Sequence, residues 1–223
     1  MNKKLFFQAF IKFMLGFFLV GLLIFIPAGT LYFINGWIFM GVLFIPILIA
    51  GIIMMIKNPK LLIARLDAKE KQKEQNILIK LSGLMFTFGF VLAGLDYRYK
   101  WTNLPSFIIY GSIVMFLFSY IIWAEVLREN TYLSRTIKVE KNQKVVDKGL
   151  YGIVRHPMYT ATIFLFLAMP LILGSLYAFF IFLFYPILIV FRIIYEEKIL
   201  EKELEGYIEY KKKVKYRLIP YIW

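Results

Sequence analysis

The chain has no cysteine and a single histidine, His156. The first absence excludes disulfides, thiolate zinc sites, iron–sulfur clusters and a cysteine nucleophile. The second puts a histidine-rich metal centre out of reach, so no metal ligands are expected. There is no Gly-x-Ser-x-Gly turn either, and with it goes the nucleophile elbow of a serine hydrolase. Acidic residues are scarce: 14 Asp and Glu stand against 27 Lys and Arg, a formal net charge of +13.

What is abundant is apolar. Of 223 residues, 61% are hydrophobic and the mean hydropathy is +0.70, whereas a soluble domain is about 45–50% apolar. This is the composition of a membrane protein, with the lipid bilayer as its first partner. In so apolar a chain, positive charge is explained by the positive-inside effect and by contact with anionic lipid. No nucleic-acid-binding motif accompanies it, and nucleic acid is not an expected partner.

A helical bilayer crossing needs about 20 predominantly apolar residues. Such stretches fall at about 5–27, 34–56, 77–95 and 106–126. Two more, about 158–173 and 176–195, are separated only by Gly174-Ser175 and predict a tight helical hairpin. The first arm, about 16 residues, is roughly 24 Å long and short for a full crossing. Lys12 lies close enough to the start of the first stretch to snorkel. Pro46 marks an expected kink, and Pro170 and Pro186 interrupt the backbone ladder within the hairpin arms. Beyond residue 195, Ile199, Leu200, Leu204, Tyr207 and Ile208 recur at helical spacing among Glu and Lys. That pattern predicts an amphipathic helix along the membrane surface, with Gly206 a candidate interruption and Pro220 its close. The expected fold is therefore all-α: a multi-pass membrane helical bundle of about six apolar segments with a C-terminal amphipathic cytoplasmic helix. No repeat or low-complexity linker divides it, and residues 1–126 and 127–223 are read as two parts of one membrane domain.

The charges set the expected topology. The 57–76 loop carries Lys57, Lys60, Arg65, Lys69, Lys71 and Lys73, and the 127–157 loop carries Arg128, Arg135, Lys138, Lys141, Lys144, Lys148 and Arg155. The turns at 28–33 and 174–175 have no Lys or Arg, and 96–105 has only Arg98 and Lys100. With six segments, both termini and both basic loops fall on the cytoplasmic side.

Two polar clusters then stand out on that side. The first is Gly149-Leu150-Tyr151-Gly152-Ile153-Val154-Arg155-His156-Pro157-Met158-Tyr159, where a basic loop becomes an apolar run. Proline suits the first helical position, so His156 is expected at or next to the N-cap of a helix, where free N–H groups favour an anion. Arg155 adds a charge with bidentate geometry for a carboxylate or phosphate. The second cluster is Arg192 with Glu196 and Glu197. Arg192 and Glu196 share a helix face, while the two glutamates, about 100° apart, point in different directions. One of them is free to pair inward with an arginine while the other faces a ligand. The plain alternative for both clusters is a juxtamembrane set of ions touching headgroups. Ionisable groups at a membrane helix edge are nevertheless functional candidates, and the two clusters are expected to meet in one site. The Tyr207, Tyr210 and Lys211–Lys213 tail reads as a solvated or lipid-facing surface, with a lid over the site as the alternative.

Gly149-x-Tyr151-x-x-x-Arg155-His156-Pro157-x-Tyr159, followed by Phe191-Arg192-x-x-x-Glu196-Glu197, Leu200, Gly206-Tyr207, Tyr210, Val214 and Pro220, resembles the signature of the isoprenylcysteine carboxyl methyltransferases and related phospholipid methyltransferases. The likeness runs over about residues 125–220, and one departure is Thr160-Ala161, where a glycine is common in the family. The resemblance implies a membrane methyltransferase using S-adenosylmethionine, with residues 127–223 as its cofactor-binding core. Tyr151, Arg155, His156, Tyr159, Glu196 and Glu197 would bind the cofactor, and Arg192 and Glu197 would serve the catalytic step, Arg192 by orienting a lipophilic acceptor. That acceptor would be an isoprenylcysteine-like carboxylate or another lipid, entering sideways from the bilayer. The rival readings are a nicotinamide-dependent sterol-type reductase, which has a similar Arg-His-x-x-Tyr pattern, and a non-catalytic membrane protein.

Overall fold

The computed structural model describes residues 3–67, 73–133, 139 and 142–223. Lys69, Lys71, Arg135, Lys138 and Lys141 of the two basic loops lie outside the described residues. Within them, every regular element is helical. Helices α1 (Lys3–Ala28), α2 (Ile34–Lys57), α4 (Lys73–Tyr99) and α5 (Ser106–Glu129) occupy the four expected early spans. The hairpin follows, with α6 (Pro157–Ile172) as the short arm and α7 (Leu176–Phe182) with α8 (Phe184–Glu203) as the long one. Five stretches are long and apolar enough to cross a membrane, counting α7–α8 as one, and α6 is a shorter apolar helix. The chain is a multi-pass membrane protein.

The outside of the bundle fits that solvent. Phe7, Phe18, Ile26, Phe88, Phe107 and Ile121 are all more than half exposed, a surface that a soluble monomer avoids and that lipid tails cover. The interior is built from aromatic rings. Phe39, Phe116 and Phe182 are fully buried, and Phe90 joins Phe39 at 5.6 Å and Phe182 at 5.8 Å between ring centroids, in the range of favourable aromatic pairs.

Three local differences separate the observed fold from the expected one. A short helix α3 (Pro59–Leu66) stands in what reads as a charged loop; Pro59 occupies its first turn and the Asn58 side chain caps Leu61 N–H at 3.1 Å. The long hairpin arm divides at Leu183, because Pro186 offers no N–H to the Phe182 carbonyl and its ring crowds that group. The C-terminal amphipathic helix is not one rod. Helix α8 continues to Glu203, Gly206 adopts φ +82°, and α9 (Tyr207–Lys213) sets off in a new direction. A left-handed residue ends a helix, and glycine takes that conformation without steric cost.

Contacts define two ends of the bundle. At one, Lys12 donates to the Leu66 carbonyl and the Arg65 guanidinium lies 5.4 Å from the Trp123 ring centroid, so α1 starts, α3 and the end of α5 meet there. At the other, the Tyr97 hydroxyl donates to the Tyr32 carbonyl at 3.5 Å and Asp96 joins the α6–α7 turn. Asp96, 1% exposed, accepts from Thr102 N–H and Oγ1 at 2.7 Å each and from the Ser175 hydroxyl. Ser175 in turn caps α7 through Ala178 N–H at 3.0 Å. Asp96→Ala strands the buried Ser175 hydroxyl and the half-buried Thr102 donors and is expected to lower unfolding stability by about 1–3 kcal/mol. A thermal melt in detergent checks this, and ligand affinity at the opposite end should not change.

Candidate active site

The site begins where α5 ends. The Glu129 carboxylate accepts the Leu150 N–H at 3.0 and 3.1 Å. Gly149 lies against it at φ +58°, so close that a Cβ would fall 1.7 Å from a Glu129 oxygen. Only glycine fits there. The 3₁₀ turn Gly149–Gly152 then carries Tyr151 into the interior, where its hydroxyl accepts from Asn130 Nδ2 at 3.1 Å and its carbonyl accepts from the Tyr210 hydroxyl at 2.7 Å.

His156 is the N-cap of α6 and Pro157 its first residue, as the sequence predicts. The backbone N–H groups of Arg155 and His156 donate to the carbonyls of Tyr216 and Arg217, each at 2.9 Å, so the tail after α9 runs alongside them. Thr160 Oγ1 adds a bond to the Leu218 carbonyl at 2.8 Å, and Ala161 is fully buried. The Thr160-Ala161 departure thus accommodates the tail on one side and close helix packing on the other.

Arg155 and Glu197 are buried together, each side chain 3% exposed, with Nε to Oε1 at 2.7 Å. Arg155 Nη1 also donates to the carbonyls of Val214 and Lys215 at 2.7 and 2.8 Å. The His156 Nε2 lies 3.2 Å from the same Glu197 oxygen, and Arg217 Nε donates to Oε2 at 3.0 Å. Arg217 is braced by the Trp223 ring, 4.9 Å from its centroid. One carboxylate therefore joins the α6 entry, α8 and the tail.

Its neighbour does something else. The Tyr159 hydroxyl donates to Glu196 Oε2 and accepts from Arg192 Nε at 2.8 Å. The Tyr159 ring stacks near His156, centroids 5.7 Å apart. The two glutamates diverge as helical geometry requires: Glu197 goes into the ion cluster, and Glu196 goes to the wall of a cavity.

That cavity measures about 480 Å³, within the usual size of a small-molecule site. Tyr185, Ile189, Arg192, Glu196 and Leu200 of α8 line it in succession, which spans about 22 Å of helix and orders its walls. At the deep end it is apolar, with Phe86, Phe166 and Ile189. At the shallow end it is polar, with Asn130, Gln143, Lys144 and Tyr207. His156, Tyr159, Arg192 and Glu196 form the waist between. Tyr151 and Arg155 also line it, whereas Glu197 does not; its carboxylate is taken up by protein partners behind the wall.

The tail differs from the expected surface. Tyr207 and Tyr210 are 4% and 5% exposed and pack with Leu204, Val214, Val145 and Leu200 in a small second core. Burial pushes the hydroxyls of Tyr151, Tyr207 and Tyr210 well above the ordinary tyrosine range, and the charges of Glu197 and Glu196 add to the effect at Tyr207. All three phenols stay protonated at neutral pH. Arg217 and Asn130 are cluster and cavity residues with no counterpart in the sequence reading, and Arg65, which enters it only as a loop charge, also lines the cavity. The spacing Tyr207-x-x-Tyr210-x-x-x-Val214, and the place of these residues in the family signature, are the signals that put the tail over the site.

A family match falls on this same region. Residues 106–205 match the family model of the phospholipid methyltransferases, from the start of α5 through both polar clusters to the end of α8. Over 91 residues the chain is 34% identical to a delta(14)-sterol reductase of Mus musculus, which takes in 40% of this chain. The match spans 22% of the reductase, so the chain covers about a fifth of that relative's length.

Proposed function

We propose that this chain is an S-adenosylmethionine-dependent methyltransferase acting on a lipophilic acceptor at the cytoplasmic face of a membrane. The observation that carries the reading is the Tyr159–Arg192–Glu196 cluster at the waist of a cavity that is polar at one end and apolar at the other. The family match over residues 106–205 supports it. The donor set suits an adenosyl ligand: a carboxylate, several phenols, amides and a lysine, with apolar walls beyond. Most described basic residues lie at the cavity end of the bundle, which is the basis for assigning that end to the cytoplasm.

When bound, S-adenosylmethionine supplies a methyl group already activated as a sulfonium. The chain's own part is to hold and align. Tyr151, His156, Tyr159 and Glu196 would bind the cofactor, and Arg155 fixes the loop that carries Tyr151 and leads into α6. Glu197 is a positioning residue, acting through Arg155, His156 and Arg217. Arg192, oriented by Tyr159, directs the head of the acceptor towards the waist, and the apolar end takes its tail. Alignment supplies much of the rate, and stripping water from a charged nucleophile adds to it. A carboxylate acceptor such as an isoprenylcysteine needs no base. For an amine acceptor the remaining base is His156, since both Glu197 oxygens are engaged.

A second reading, a nicotinamide-dependent reductase, is favoured by the match to the mouse sterol reductase. Titration of the detergent-purified protein with S-adenosylhomocysteine and NADPH separates the two. We expect saturable binding of the adenosyl ligand, weakened about tenfold or more in Glu196→Ala through loss of a charge-assisted hydrogen bond. Binding of NADPH alone would transfer the site to the reductase reading.

A further inference from the structure

Tyr207 and Tyr210 sit one turn apart on α9, with ring centroids 5.7 Å apart. Both are buried, and both line the cavity. They differ at their hydroxyls. That of Tyr210 donates to the Tyr151 carbonyl at 2.7 Å. That of Tyr207 is buried and has no hydrogen-bond partner among the described residues.

A buried polar atom without a partner costs stability and is uncommon in folded proteins. The placement of Tyr207 is well determined by its surroundings: the left-handed Gly206 turns the chain into α9, and the ring packs in the Leu204, Tyr210 and Val214 core. The nearest carboxylates are committed elsewhere. Glu197 is held by Arg155, His156 and Arg217, and Glu196 by Tyr159. The Tyr207 side chain itself lines the polar end of the cavity.

We infer that the Tyr207 hydroxyl is a ligand-contacting group, donating a hydrogen bond to a polar oxygen or nitrogen of the adenosyl cofactor seated in the shallow end of the cavity. This rests on the methyltransferase reading. The acceptor lipid is the less suitable partner, because the apolar walls that would hold it lie at the far end of α8. The phenol, kept protonated by burial and neighbouring carboxylates, is available as a donor throughout the neutral range. Tyr210, whose proton is already given to Tyr151, is the internal comparison: one tyrosine closes the wall and the other serves the contents.

The test compares the wild-type chain, Tyr207→Phe and Tyr210→Phe, all purified in mild detergent. Calorimetric titration with S-adenosylhomocysteine is combined with thermal melts without ligand. Tyr207→Phe is expected to melt at or above the wild-type temperature and to bind the ligand about 3- to 10-fold more weakly, the effect of one hydrogen bond. Tyr210→Phe is expected to melt lower without ligand, having lost a bond within the protein. Wild-type affinity in Tyr207→Phe overturns the assignment, as does a drop in its ligand-free melting temperature. If only the KM for a lipid acceptor rises, the hydroxyl serves the acceptor and the cofactor contact is refuted. Failure of the wild-type chain to bind the ligand at all overturns the methyltransferase reading along with it, whereas wild-type binding with an unaffected Tyr207→Phe removes this inference alone.

Discussion

Glu197→Ala is expected to lower unfolding stability by about 3–5 kcal/mol, the cost of removing one partner from a buried ion pair, and to abolish cofactor binding with it. The reason lies in what the carboxylate holds rather than in any contact with reactants. Arg155 is as buried as Glu197 itself, and without the carboxylate its charge keeps only the two tail carbonyls of Val214 and Lys215. His156 and Arg217 lose their shared partner at the same moment. The entry to α6, the middle of α8 and the tail are then no longer tied at one point. Glu197→Gln keeps the shape and one acceptor oxygen but not the charge, so it should fall between alanine and the wild type. Thermal melts and S-adenosylhomocysteine titration of both variants in detergent measure the two effects together. An alanine variant as stable as the wild type and lacking only turnover would place Glu197 against the reactants, contrary to a positioning role.

How much of this could be read from the chain follows from the kind of signal each feature leaves. The six apolar segments are legible because lipid imposes length and composition on whatever crosses it. The approach of Arg155-His156 to Arg192–Glu197 is legible because one hairpin, closed by Gly174-Ser175, is all that separates them. The divergence of Glu196 and Glu197 follows from helix geometry, although which of the two turns inward does not. Arg217 leaves no such trace. Its strand-like tail is held by backbone N–H groups of Arg155 and His156, and backbone bonds are written in no side chain. Tyr207 and Tyr210 read first as surface because their partly buried partners, Val145 and Leu200, come from a basic loop and a different helix. Helix α3 was missed for another reason: Asn58-Pro59 is a start signal, but the surrounding lysines and arginines favour a loop.

Gly83→Phe is expected to reduce kcat/KM for a lipid acceptor, chiefly by raising KM, while leaving the affinity for S-adenosylhomocysteine unchanged. Ile79, Ser82, Gly83 and Phe86 of α4 line the cavity. Gly83 is at the same time exposed, next to the 55% exposed Leu84, within a stretch long and apolar enough to cross the membrane. A residue that belongs both to the cavity wall and to the lipid-facing surface marks a lateral opening. A Cβ at Gly83 would meet no other atom within 4 Å, so a larger side chain enters open space instead of colliding with the protein. Replacing a mid-helix glycine by phenylalanine also recovers part of the roughly 1 kcal/mol that glycine costs relative to alanine in a helix, and the variant should fold about as stably as the wild type. The loss would therefore be a loss of passage. Gly83→Ala, too small to cover the gap, serves as the control and should retain near wild-type turnover. Steady-state kinetics with an acceptor dissolved in detergent or bilayer vesicles reads the effect in KM more than in kcat, because the ring obstructs entry and leaves the Tyr159–Arg192–Glu196 waist untouched. An unchanged KM in Gly83→Phe would mean that the acceptor reaches the waist by another route, and α4 would then be a wall rather than a gate.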